Sequence, residues 1–185
     1  VNPTQFDSHE DFNTYPSDTE KDIDLLKSIS DEIILFNPAS AELYSNDLKL
    51  DTFDFNGLDK FMEGEYRGHH FHGVATIVNK LFSIIKADYA YFGEKDFQQL
   101  RIIENLILEK KLSIKLIRCE TIRSSEGLAL SSRNNKLTFS SKKIATNLFK
   151  ALNFAKEKID TLSVNEIEKI IIDNLSKISD IKLEY

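Results

Sequence analysis

Between Phe71 and Ile117 the chain switches repeatedly between helical and strand-like hydrophobic periods, and this alternation constrains its fold more than any other feature. Phe71, Val74, Ile77, Val78, Leu81, Ile84 and Ile85 recur at helical spacing over Phe71 to Lys86. Tyr89-Ala90-Tyr91-Phe92 is strand-like and ends at Gly93. A second helix then runs from Asp96, whose carboxylate can cap it, with Gln99 at the third helical position as in a capping box. Its apolar positions are Phe97, Leu100, Ile103, Leu106 and Ile107, and Ile114 to Ile117 forms the next strand. Helix, strand, loop, helix, strand is the order of a βαβ unit, so the class is α/β with a parallel sheet covered by helices.

The flanks are less regular. Val1 to Phe6 reads as the tail of a strand that Pro3 stops from pairing further, and Asp7 to Pro16 as polar loop. Thr19 to Ser28 has Ile23, Leu25 and Leu26 behind an acidic first turn, which suits a helix. Ile33-Ile34-Leu35-Phe36, closed by Asn37-Pro38, is a short buried-strand candidate. After Ile122 the character changes. Arg123 to Asn135 is polar with a break at Gly127, and two amphipathic helices follow. The first carries Ile144, Leu148, Leu152, Ala155 and Ile159. The second starts at Ser163, with Glu166 completing a capping box, and carries Val164, Ile167, Ile171 and Leu175. The expected domains are 1–122 and a smaller 123–185. The chain opens at Val1, holds its single methionine at Met62 and closes on the alternating Ile181 to Tyr185, so both ends read as cut from a longer polypeptide.

Composition narrows the function classes. Lys and Arg number 24 against 30 Asp and Glu, a formal net charge of −6, with no block of like charges. A nucleic-acid coat or an anionic membrane surface is therefore a poor partner, and a bound anion must sit in a local basic pocket. No apolar run approaches the ~20 residues of a membrane span. No basic-then-apolar leader is present, and Cys119 alone cannot form an internal disulfide, so the expected compartment is the cytoplasm.

Three segments could carry chemistry. In Gly93-Glu94-Lys95-Asp96-Phe97-Gln98-Gln99, a glycine turn leads from a strand into a helix N-terminus, where open-sheet ligands bind. Lys95 there is a point charge suited to a phosphate oxygen, and Gln99 could donate to a carboxylate or hydroxyl. On pattern alone, an Asp-capped helix with a solvated lysine is the simpler account. Leu130-Ser131-Ser132-Arg133-Asn134 sets two hydroxyls beside a guanidinium that can grip a phosphate bidentately, yet Ser-Ser-Arg also describes ordinary turns. Tyr66-Arg67-Gly68-His69-His70-Phe71-His72 invites a zinc reading, but no cysteine or carboxylate stands at metal spacing, and a helix-start loop fits better. Asp22 and Asp24 could meet Mg²⁺, although acidic residues in a first helical turn need no metal. Cys119 reads as a small core residue.

Taken together, these segments resemble the pantothenate synthetase family, ATP-dependent ligases joining pantoate to β-alanine. The resemblance rests on Val1 to Phe6, Asp11 to Pro16, His70-Phe71-His72-Gly73-Val74 with Lys80-Leu81-Phe82, Gly93 to Gln99, and Gly127 to Asn134, in the family's order. It implies a Rossmann-like nucleotidylyltransferase fold with a parallel sheet, a smaller C-terminal α+β domain and a homodimer. By the same resemblance, the pantoate carboxylate attacks the α-phosphate of ATP, and the β-alanine amine then displaces AMP. Gln5 and Gln99 match pantoate-binding glutamines, with Gln5 also near β-alanine, and Asn2 and Arg67 match residues lining that cavity. Gly93, Glu94, Lys95 and Asp96 match an ATP-binding turn, Ile122 a backbone contact, and Leu130, Ser131, Ser132 and Arg133 a phosphate loop. Lys95 and Arg133 are the implied catalytic cations, with Mg²⁺, and Asp22 the candidate metal ligand. Leu130 stands where methionine is more usual. The family's His-x-Gly-His element is expected upstream of Val1, and none of His9, His69, His70 or His72 sits in such a motif. Two other readings stay open: a different adenylyl- or cytidylyltransferase of the same superfamily, and a non-catalytic nucleotide-binding, dimerising fragment.

Overall fold

A computed structural model describes residues 1–6, 8–44 and 49–185; Asp7, the first residue of the expected polar loop, lies outside the described residues. Two compact units divide the chain, Val1–Glu120 and Thr121–Tyr185.

The first unit opens with a 3-10 helix, Pro3–Gln5, and not with the strand expected of Val1 to Phe6. Proline at the first helical position costs no hydrogen bond there, and Phe6 N–H closes the turn on the Pro3 carbonyl. Short helix α1 (His9–Asn13) is capped by Ser8, and α2 (Thr19–Ile29) by the carboxylate of Asp18, which accepts from Lys21 N–H at 3.1 Å. Ile33 to Phe36 does not form the expected buried strand. The segment joins no strand ladder, Ile33 N–H turns back to the Ser30 carbonyl at 3.4 Å, and Ile34 is 91% exposed. Four apolar residues favour a strand only when a neighbouring edge completes the ladder. Helices α3 (Ser40–Leu43) and α4 (Glu63–Tyr66) follow.

Helix α5 (His70–Ile85) is the centre of the unit. Its first half is buried from His70 to Val78 except at half-buried His72, whereas Ile84 and Ile85 are exposed. Phe71, Val74, Ala75, Ile77 and Val78 pack with Tyr44, Phe53, Phe55, Ile102, Ile103 and Leu106 into one core. Strand β1 (Tyr89–Gly93) leads through a 3-10 turn, Glu94–Asp96, into α6 (Phe97–Glu109) and then β2 (Lys115–Cys119). The strands are parallel, with Tyr89 opposite Lys115 and Gly93 opposite Cys119, so the βαβ unit forms as expected. Among the described residues the sheet has two strands. The strand ends place Gly93 and Cys119 at the carboxyl edge, where α/β ligands bind.

In the second unit, Leu130 N–H donates to the Ile122 carbonyl at 2.9 Å and Ser124 N–H to the Leu128 carbonyl at 2.8 Å, closing a tight antiparallel loop. Its turn residue Gly127 has φ +91°, and a Cβ there would lie 2.2 Å from the Phe149 ring. After a 3-10 helix, Ser132–Lys136, come α7 (Phe139–Lys158), capped by Thr138, and α8 (Val164–Leu175). Ser163 and Glu166 form the expected capping box. Ile181 to Tyr185 forms no strand.

Candidate functional site

In the first unit, several of the candidate site residues fall on elements that border α5. The 3-10 helix carrying Thr4 and Gln5, with Asn2 at its N-terminus, lies against it, and so does α6, which carries Gln99. The approach at the first contact is very close: a Cβ at Gly73 would stand 2.0 Å from the Thr4 carbonyl oxygen and 2.9 Å from Gln5 Cα. Only a residue without a side chain allows the backbones to meet. Buried His70 then fixes the turn, its Nδ1 lying 2.7 Å from the Gln5 carbonyl. A carbonyl can only accept, so Nδ1 carries the proton.

Asn2 and Gln5 are tied together. Asn2 Nδ2 donates to Thr4 Oγ1 at 2.9 Å and to Gln5 Oε1 at 3.4 Å, and Asn2 Oδ1 accepts from the Tyr44 hydroxyl at 2.7 Å. Burial pushes the Tyr44 phenol above its ordinary pKa, so it stays a neutral donor. Neither Tyr44 nor His70 was marked as a site residue by the sequence, since each acts across a separation of 42 or 65 positions.

The Gly93–Asp96 turn sits at the carboxyl end of β1 as expected, but its cap does not form. Asp96 accepts from Lys95 Nζ at 2.7 Å and makes no side-chain bond to the first turn of α6. Lys95 and Asp96 are both solvent-exposed, and such pairs contribute at most about 1 kcal/mol, so the ammonium is cheaply released. The two glutamines that follow divide their labour. Gln98 is buried, donating to the Leu58 and Phe61 carbonyls at 2.7 Å each and accepting from Glu63 N–H at 2.9 Å. Gln99 is half-buried and has no side-chain hydrogen bond among the described residues. Arg67 is exposed and pairs with Glu63 at 3.6 Å.

The histidine cluster is spoken for by the protein: His72 Nδ1 accepts from Phe53 N–H at 3.4 Å, and its ring packs on Phe55. Asp22 is exposed on α2. No group of three His, Cys, Asp or Glu side chains that could hold a metal, Asp22 included, occurs among the described residues. Cys119 is half-buried at the end of β2.

In the second unit, the loop closure places Ile122 and Leu130 side by side. Ser131 Oγ then accepts from Arg133 N–H at 3.2 Å, and Asn134 Nδ2 donates to the Ala129 carbonyl at 2.9 Å. Arg133 and Ser132 are exposed on the resulting 3-10 turn, and half-buried Ser131 caps it. Among the described residues, no helix is long and apolar enough to cross a membrane.

The Pantoate-beta-alanine ligase family profile matches residues 1–185. The pantothenate synthetase of Christiangramia forsetii is 42% identical over 185 residues, covering all of this chain and 65% of that protein. That of Flavobacterium psychrophilum is 40% identical, covering 66% of its length. The chain thus spans just under two thirds of these curated relatives. The crystal structure of pantothenate synthetase from Thermus thermophilus is similar with a TM-score of 0.91 at 34% identity, covering all of this chain and 67% of that one. Pantoate-beta-alanine ligase from Francisella tularensis, solved in complex with beta-gamma ATP and beta-alanine, is similar with a TM-score of 0.79 at 36% identity, covering 94% and 64% of the two chains.

Proposed function

This chain belongs to the pantoate-beta-alanine ligase family, and from that premise we propose that it contributes to the ATP-dependent condensation of pantoate with β-alanine through a pantoyl-adenylate. The observation that carries the reading is the Gly93–Asp96 turn at the carboxyl end of a parallel strand, with the Lys95 ammonium paired to its exposed neighbour Asp96.

In the proposed first step, a pantoate carboxylate oxygen bonds to the α-phosphorus of ATP, the bond from that phosphorus to the bridging oxygen breaks, and pyrophosphate leaves. The β-alanine nitrogen next bonds to the acyl carbon, loses a proton, and AMP departs. The first step brings two anions into contact, so the protein's task is charge neutralisation and alignment. Lys95 takes the α-phosphate, within a turn whose Gly93, Glu94 and Asp96 flank the nucleotide. The neutral amides of Gln5 and Gln99 orient pantoate without blunting its nucleophile. Asn2 and Arg67 line the pantoate pocket, and Gln5 also meets β-alanine. In the second unit, the Ile122 backbone and Leu130, Ser131 and Ser132 take nucleotide contacts, and Arg133 takes the pyrophosphate with its bidentate fork. Mg²⁺, which the resemblance implies, has no carboxylate cluster to hold it among the described residues, and the chemistry proposed here rests on the chain's own cations. A cytoplasmic homodimer is the proposed form.

The test is pyrophosphate release from ATP, measured on the chain completed with the remaining third its relatives possess. Release that requires pantoate, followed by AMP release that requires β-alanine, is expected. Equal release with other small acids would assign the chain a different acceptor.

A further inference from the structure

We propose that Tyr44 is a positioning residue for Gln5, setting the direction of its amide through Asn2; the role rests on the pantoate-binding reading of Gln5 given above. Tyr44 is 4% exposed, and its hydroxyl donates to Asn2 Oδ1 at 2.7 Å while lying 3.2 Å from Thr4 Oγ1. With Oδ1 occupied, the Asn2 side chain has one orientation, in which Nδ2 faces Thr4 Oγ1 and Gln5 Oε1. The Gln5 oxygen is thereby turned toward Asn2. Its amide nitrogen is left to meet an arriving carboxylate or hydroxyl, and Gln5 is half-buried, so that group is accessible.

The direction matters because the two ends of a glutamine amide are opposite in sign. An amide free to flip would present its oxygen to an anionic substrate part of the time, repelling it, and the cost of ordering it would fall on each binding event. A chain of donors that begins at a buried phenol removes that freedom beforehand. The phenol itself is held from two sides. Lys80 Nζ stands 5.5 Å from its ring centroid, and Asp51 is the nearby negative charge that favours the neutral hydroxyl. Thr4 Oγ1 lies 3.4 Å from the Gly73 carbonyl, anchoring the same turn to α5.

Tyr44→Phe keeps the ring and removes the donor. The expected result is a pantoate KM raised about tenfold, the effect of losing one hydrogen bond at the binding group, with the ATP KM changed by less than about twofold. The Asn2→Ala variant and the Tyr44→Phe, Asn2→Ala pair should give nearly the same pantoate KM, because both cut one chain. Pantoate-dependent pyrophosphate release in the unsubstituted protein, with the pantoate KM unchanged in Tyr44→Phe, overturns the positioning role alone. A rise in both KM values by the same factor also overturns it, since that is what a purely structural tyrosine would give. No pantoate-dependent release from the unsubstituted protein overturns the functional reading and this role with it. Should Tyr44→Phe fail to fold, replacing Tyr44 by the more acidic 3-fluorotyrosine leaves the shape intact. The pantoate KM should then climb at a lower pH than in the unsubstituted protein, with the ATP KM flat; coincident pH profiles refute the role.

Discussion

Gly73→Ala gives the most direct test of how the proposed pantoate-binding turn is built. Gly73 lies in the first turn and a half of α5, and helix propensity alone favours alanine there by about 0.5–1 kcal/mol. The neighbouring backbone says otherwise. A Cβ would stand 2.0 Å from the Thr4 oxygen and 2.5 Å from its carbonyl carbon, whereas ordinary contacts begin near 3.4 Å. The Pro3–Gln5 turn would have to retreat by about 1.4 Å, and both contacting groups are backbone, so no rotamer change relieves the clash. Overpacking of this kind costs about 1–3 kcal/mol, which outweighs the propensity gain. The sign therefore reverses, to a net loss of about 1–2 kcal/mol and a fall of roughly 3–8 °C in the unfolding temperature of the first unit. The retreat also carries Gln5 with it, breaking the 2.7 Å contact from His70. A displacement of about 1 Å in a positioning group can cost on the order of 100-fold, so kcat/KM for pantoate should drop by about that factor. Calorimetric unfolding and pantoate-dependent pyrophosphate release measure the two effects. A Gly73→Ala protein that melts higher and turns over pantoate normally would refute the packing argument.

Lys95→Ala should slow adenylation by about 100- to 1,000-fold in single-turnover experiments while pantoate affinity, measured by calorimetry, changes far less. Comparable losses in both would remove Lys95 from the α-phosphate. The adjacent glutamines should separate cleanly. Gln98→Ala removes the Gln98 bonds to the Leu58 carbonyl and Glu63 N–H and leaves the Phe61 carbonyl only its bond from Gly64 N–H, and it should cost about 3 kcal/mol in urea unfolding, whereas Gln99→Ala should leave stability unchanged and raise the pantoate KM. In the second unit, hydrogen bonds from the Ser163 side chain and then its backbone hold the Glu166 carboxyl below its ordinary pKa. A depressed folded pKa means that its stabilisation is present above the ordinary carboxylate value and is lost as pH falls through the folded one. Far-UV circular dichroism of an acid titration should show that loss, and Glu166→Gln should abolish its pH dependence.

The sequence was most informative where one local rule governed one element. The 3.6-residue period from Phe71 and the Ser163–Glu166 spacing each describe interactions within a turn or two, and both appear where expected. It was least informative where a residue had two possible partners. Asp96 had a helix to cap and a lysine beside it, and the lysine took the carboxylate. Ile33 to Phe36 has strand composition, but a strand exists only with a partner edge, which composition does not report. Lys95 and Gln99 are candidates that the turn they occupy already suggests. The supports at Tyr44 and His70 are not suggested in this way, because their partners lie tens of residues away. Gln98 and Gln99 look alike as letters. Only the loop arriving over the first turn of α6 decides which of them becomes structural.

That loop has a consequence for the exposed cation beyond it. By gripping two carbonyls and one amide, Gln98 splices residues 58–63 onto the start of α6, and α4, which ends beside Arg67, grows directly from the splice. The guanidinium is thus hung from a neighbouring helix rather than from its own stretch of chain. Its backbone should exchange amide hydrogens in step with the opening of α6, and whatever frays that helix start will unmoor Arg67 as well.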